Sequence, residues 1–75
     1  MKTFNIQLNS INDVKMFVNI VSNYNCDIDL TSGRYVVDAK SIMGIFSLDL
    51  SKPIKVEVFS DDCEPLLKEL EQFMV

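Results

Sequence analysis

A serine that opens a short apolar run is the residue in this chain best placed for chemistry. Ser41 precedes Ile42-Met43-Gly44-Ile45-Phe46-Ser47-Leu48, a segment too apolar for a loop and too short for a full amphipathic helix, and serine is a favoured N-cap. A phosphate on its hydroxyl would meet free backbone N–H groups and the positive end of the helix dipole. The plainer role is the N-cap alone. Ile45 and Leu48 lie three apart and can point at a core, whereas Ile42, Met43 and Phe46 crowd other sides of the same two turns. Some of these three are therefore expected in solvent, as an apolar patch for a partner protein. The alternative is a helix sunk deep enough to bury most of them.

The chemistry that is excluded is equally definite. Among 75 residues there is no histidine, so no imidazole base, His-ligated zinc, phosphohistidine or Ser-His or Cys-His dyad can be assembled. Cys26 and Cys63 have no CxxC partner and no metal-ligand spacing, and are expected to be reduced, structural thiols. Asp27 with Asp29, and Asp61-Asp62 with Glu64, concentrate carboxylates without EF-hand spacing. They read as solvated surface and helix-start acids, with no cation site implied. Lys15 and Lys52 read as solvated. No catalytic residue, metal or cofactor is indicated, and a non-enzymatic protein is expected.

Eleven acidic against seven basic residues give a net charge of -4, which opposes nucleic acid or an anionic membrane as partner, because phosphate contact needs a cationic face. No apolar stretch approaches the roughly 18 residues of a membrane span, and Met1-Lys2-Thr3-Phe4 runs into alternating polar residues with no signal-peptide core. A cytoplasmic location is expected.

Positioning Ser41 falls to a single folded domain over residues 1–75, consistent with 48% hydrophobic residues and only two Gly and two Pro. Phe4, Ile6 and Leu8 alternate with polar neighbours, the period of a half-buried strand. From Ser10 to Ser22 the period changes, with Ile11, Val14, Val18 and Val21 as the apolar stripe and Ser10-x-x-Asp13 as a capping-box-like start. Cys26, Ile28 and Leu30 then form a second strand, and Tyr35, Val37 and Ala39 a third, joined at Ser32-Gly33 as a hairpin. After the Ser41 helix, Pro53 opens a strand bearing Ile54, Val56 and Val58. Asp61 or Asp62 caps a last helix, with Pro65 in its first turn in the latter case and Leu66, Leu70 and Phe73, flanked by Leu67 and Met74, as its buried stripe. The order is βαββαβα. One-sided strands and one-sided helices require a two-layer α/β sandwich, an open-faced α+β fold with its helices on one face of a largely antiparallel sheet.

The run Lys40-Ser41-Ile42-Met43-Gly44-Ile45-Phe46-Ser47-Leu48, followed by a strand after Lys52, resembles the regulatory-serine segment of HPr, the phosphocarrier family of the bacterial phosphoenolpyruvate-dependent sugar phosphotransferase system. The resemblance implies a four-stranded sheet in the order 1423. It implies that Ser41 is the acceptor for an ATP-dependent HPr kinase/phosphorylase, and that Ile42, Met43 and Phe46 form the docking surface for partner proteins.

Where family carriers place Gly-x-His-Ala-Arg-Pro-Ala between strand one and helix one, this chain reads Leu8-Asn9-Ser10-Ile11-Asn12-Asp13-Val14, apparently shorter and with no His, Arg or Pro. The histidine of the family segment takes a phosphoryl group from enzyme I. Ser10 and Asn12 cannot replace an imidazole in that step, and Asp13 would repel incoming phosphate. The chain looks closer to regulatory paralogues that lack the histidine and keep the serine. Three readings are open: a regulatory protein switched at Ser41, a degenerate HPr that docks on phosphotransferase or other proteins without phosphorylation, and a true carrier, which the empty histidine position opposes.

Overall fold

The computed structural model describes residues 1–60 and 63–75. Its elements run β1 (Lys2–Ile6), α1 (Ile11–Ser22), β2 (Ile28–Ser32), β3 (Tyr35–Asp38), α2 (Ile42–Phe46), β4 (Ile54–Val58) and α3 (Glu64–Leu70), with a 3-10 turn at Glu71–Phe73. The four strands form one antiparallel sheet in the order β1-β4-β2-β3, as the resemblance implies. The expected cap at Asp61 or Asp62 lies outside the described residues; α3 begins after Cys63, with Pro65 in its first turn.

Strand register explains why one face is apolar. Phe4 lies opposite Val56, Val56 opposite Leu30, and Leu30 opposite Val37, so successive apolar residues share a row under the helices. Ile6, Ile28, Leu30, Ile54, Val56 and Val58 are buried there with Val14, Phe17 and Val21 of α1, Ile45 of α2, and Leu66 and Leu70 of α3. The opposite face carries Thr3, Asn5, Lys55, Glu57, Asp29, Thr31, Val36 and Asp38, none of them buried. Gly33, at φ 61°, takes the first of the two positions between Ser32 and Tyr35, where primed hairpin turns favour glycine.

The β1 edge of the sheet is occupied by another segment of the chain. Along β1, the Gln7 N–H donates to the Phe73 carbonyl at 2.8 Å and the Val75 N–H to the Asn5 carbonyl at 3.2 Å, and Ile6 bridges Met74. The C-terminal segment thus occupies an edge that would otherwise be open to another strand. Beyond β3, the Ser41 N–H donates to the Asp38 carbonyl at 3.0 Å, turning the chain directly into α2.

Three expectations are corrected. Ile11 does not join the buried stripe of α1; it is 63% exposed, and Phe17, at 0%, takes the central place. Spacings of three and four accommodate either stripe, and the helix turns the larger side chain inward, where Phe17 meets the Phe73 ring edge-on at 6.0 Å. Tyr35 shares the face of Val37 but is 71% exposed, because the edge of the sheet extends past the helices that cover it. Finally, Cys26 and Cys63 are joined in a disulfide and are not separate thiols. Ile28 pairs with Val58, and the Phe59 N–H donates to the Asp27 carbonyl at 2.9 Å, so the residue next to Cys26 lies beside the end of β4. Closing a loop of 37 residues stabilises the fold by roughly 4 kcal/mol through lost unfolded-state entropy.

Phe17→Ala is expected to cost about 3–5 kcal/mol in chemical denaturation. Met16→Ala, one residue away but 44% exposed, should change stability by no more than about 0.5 kcal/mol.

Candidate functional site

Ser41 caps α2 with extended backbone geometry, and its Oγ accepts the Gly44 N–H at 3.2 Å. The same hydroxyl is exposed at the surface. At the other end of the helix, Ser47 Oγ donates to the Gly44 carbonyl at 2.5 Å. Gly44 is needed for close approach: a Cβ there would lie 3.2 Å from Ser41 Oγ and 3.3 Å from Val37 Cβ, pressing on both the cap and the sheet. Its missing side chain lets a five-residue helix rest on β3 with Ser41 held at the rim.

Helical spacing then separates an inner from an outer face. Ile45 is fully buried and Leu48 nearly so, as their spacing predicts. Met43 and Phe46, also three apart, share the outer face at 77% and 40% exposure. Ile42 is half-buried and packs against the core. Of the three apolar residues singled out in the sequence, two are therefore open to solvent and one is partly withdrawn.

Phe46 also lines a shallow groove of about 570 Å³ with Gln7, Leu8, Asn9, Ser10, Ile11, Leu50 and Ser51. This groove brings the Leu8–Ile11 interval beside α2, although the two segments are far apart in the chain. Ile11 is the residue that sequence reasoning missed. Its position directly after the Ser10 cap, at the first turn of α1, was the available signal, because a first-turn side chain can overhang the end of the core.

Local hydrogen bonds fix the rims. The Asp13 N–H donates to Ser10 Oγ at 3.1 Å, and Asp13 Oδ2 accepts the Asn9 N–H at 2.9 Å, so the carboxylate closes the turn one residue earlier than a standard capping box would. On the opposite rim, Gln7 Nε2 donates to the Leu50 carbonyl at 2.9 Å. Asp49 Oδ1 accepts the Ser51 hydroxyl at 2.6 Å and the Ser51 N–H at 3.1 Å. Those two bonds, with a smaller contribution from Lys52, hold the Asp49 carboxyl below its ordinary range. Behind Ser41, Lys40 Nζ donates to the Tyr24 carbonyl at 2.7 Å, directing that cation away from the serine. The arrangement offers an accessible hydroxyl beside an apolar surface, with amide and hydroxyl groups along the groove and no imidazole anywhere in the chain.

Known proteins give this geometry its family. No curated protein sequence matches the chain. Among solved structures it is similar to HPr-C-His from Thermoanaerobacter tengcongensis, with a TM-score of 0.80 and 30% identity over 96% of this chain and 89% of that one. It is similar to a phosphocarrier protein HPr from Bacillus anthracis, with a TM-score of 0.74 and 24% identity over 99% and 96% of the two chains. A histidine-containing phosphocarrier protein from Mycoplasma shares the fold, with a TM-score of 0.76 and 13% identity over 95% and 89%. Residues 12–75 match the family model described as the PTS HPr component phosphorylation site. With that match spanning α1 to the C-terminal segment, and the sheet order and α2 placed as above, the chain belongs to the HPr family of the phosphotransferase system.

Proposed function

We propose that this HPr-family chain is a non-enzymatic regulatory protein of the cytoplasm, switched by phosphorylation at Ser41 and docking partners through Met43, Phe46 and the adjoining part of Ile42. The observation that carries this reading is a pairing of presence and absence. An exposed serine caps α2 next to exposed Met43 and Phe46, in a chain with no histidine to carry a phosphoryl group. The family-model match covers residues 12–75, which include Ser41 and all of α2. Partners on this reading are an HPr kinase/phosphorylase and other phosphotransferase-system or regulatory proteins, including enzyme I bound without transfer.

Phosphorylation at Ser41 would add a charge of about -1.5 to -2 at the start of α2. The helix N-terminus tolerates that charge, so its effect falls on binding and leaves the fold intact. Beside Met43 and Phe46, the dianion weakens partners that present apolar or acidic surfaces and strengthens those that present Arg or Lys. A second reading, docking without phosphorylation, is favoured by the groove that joins Ile11 to Phe46, which supplies an apolar surface independent of Ser41.

Incubation with enzyme I and phosphoenolpyruvate is expected to yield no acid-labile phosphoprotein; stoichiometric labelling would remove the regulatory reading. An HPr kinase with ATP should label the wild type and leave Ser41→Ala unlabelled. That variant should remain folded, losing about 0.5–2 kcal/mol as a cap. A wild type that the kinase never modifies leaves the docking module alone standing. Met43→Gln should alter stability by no more than about 0.5 kcal/mol, yet combined with Phe46→Gln it should reduce partner recovery in a pulldown read by mass spectrometry; unchanged recovery would place docking elsewhere.

A further inference from the structure

The two cysteines of the disulfide sit in different surroundings. Cys63 is 2% exposed and belongs to the core cluster. Cys26 is half-buried and lines an open hollow of about 380 Å³ together with Tyr24, Asn25, Asp27, Phe59 and Ser60. Thiol–disulfide exchange begins with a thiolate reaching one sulfur, and access decides which sulfur is attacked. We propose that the Cys26–Cys63 bond is a reversible redox clasp, opened by a dithiol reductant that attacks Cys26 through this hollow.

The exchange balances without any further reactant. One thiolate of the reductant bonds to Cys26 Sγ as the Cys26–Cys63 bond breaks, and its electron pair leaves on Cys63 Sγ, which takes a proton. The second thiol of the reductant then attacks its own sulfur in the mixed disulfide and releases the Cys26 thiolate, which is protonated in turn. The protein gains two electrons and two protons as two thiols, and the dithiol departs as a disulfide.

The surroundings predict where the change is felt. Apart from the disulfide, the segment around Cys26 is tied by Lys40 Nζ to the Tyr24 carbonyl, by the Tyr24 hydroxyl to the Glu69 carboxylate, and by the Phe59 N–H to the Asp27 carbonyl. The first tie is part-buried and joins this segment to the residue before Ser41; the second is exposed and joins it to α3. The strand pairing that sets Leu30 against Val56 involves neither cysteine. Reduction therefore loosens the segment between α1 and β2 from the start of α3 while the sheet stays assembled. This inference stands apart from the Ser41 reading, since none of its steps involves phosphorylation.

The test uses the full chain, oxidised in air and purified without reductant. Thiol counting should find no free thiol before, and two after, treatment with dithiothreitol, with re-oxidation restoring the starting state. Brief exposure to reduced glutathione, acid quenching and peptide mapping should place the mixed disulfide on Cys26 in about tenfold excess over Cys63. The reduced protein should stay folded at 25 °C with a Tm lower by roughly 15–30 °C, and its amide NMR changes should concentrate at residues 23–27, 40 and 63–66. Two free thiols in the air-oxidised protein, an adduct on Cys63 or shared evenly, or a reduced chain that is unfolded at 25 °C would each overturn the clasp. Reduction that accelerates only in step with global unfolding in urea would overturn it as well, because attack through the hollow requires the folded state.

Discussion

The whole structure depends on β4 lying between β1 and β2. Ile54, Val56 and Val58 are each 0% exposed, and their strand supplies the hydrogen-bonding partner for both neighbours. Without β4, β1 would have no strand beside it, and the hairpin of β2 and β3 would stand alone, a unit marginal in water. The helices are governed by the same constraint. A sheet with one apolar face needs a second layer, and α1, α2 and α3 each turn a buried stripe toward that face. The other face meets water with mostly polar side chains, three of them acidic. Asp38, Asp29 and Glu57 fall opposite one another across three strands, an arrangement of like charges that opposes pairing and that the buried rows beneath must outweigh.

The candidate site is a by-product of how the second layer ends. A helix as short as α2 cannot hide all its apolar residues, so the turn that buries Ile45 puts Met43 and Phe46 outside. Gly44 brings the helix close to the sheet, and Ser41 terminates it where its hydroxyl is both a cap and a surface group. The start of α1 reaches the same place from the other side of the fold, adding Ile11 and Ser10. Stability and recognition are thus drawn from adjacent positions of one short segment, with residues 42 and 45 inclined to the core and residues 43 and 46 to solvent.

Much of this is legible in the sequence because it depends on local period. The strands alternate cleanly at Ile54, Val56 and Val58, the glycine at position 33 marks its hairpin, and Ser41 heads an unmistakable helix start. Strand order is legible only through the family resemblance, since alternation does not say which strands are neighbours. The rotation of α1 is ambiguous by one step, because Ile11-Val14-Val18-Val21 and Val14-Phe17-Val21 both satisfy helical spacing and only the space beside Phe73 selects between them. The disulfide is not legible at all. Two cysteines separated by 37 positions meet only once Ile28 lies against Val58, and no local pattern records that pairing.

The chain order of the strands also bears on how the protein emerges from a ribosome. β4 is the last of the four strands to be made and a middle strand of the sheet, so a nascent chain displaying β1, α1 and the β2–β3 hairpin has no way to join them. Until residue 58 leaves the exit tunnel, Ile6, Leu30 and Phe17 have no complete core to enter. Their apolar surfaces stay available to chaperones or to other chains throughout that interval. Folding waits for the fourth strand, and the second cysteine of the bridge lies beyond that strand in the chain.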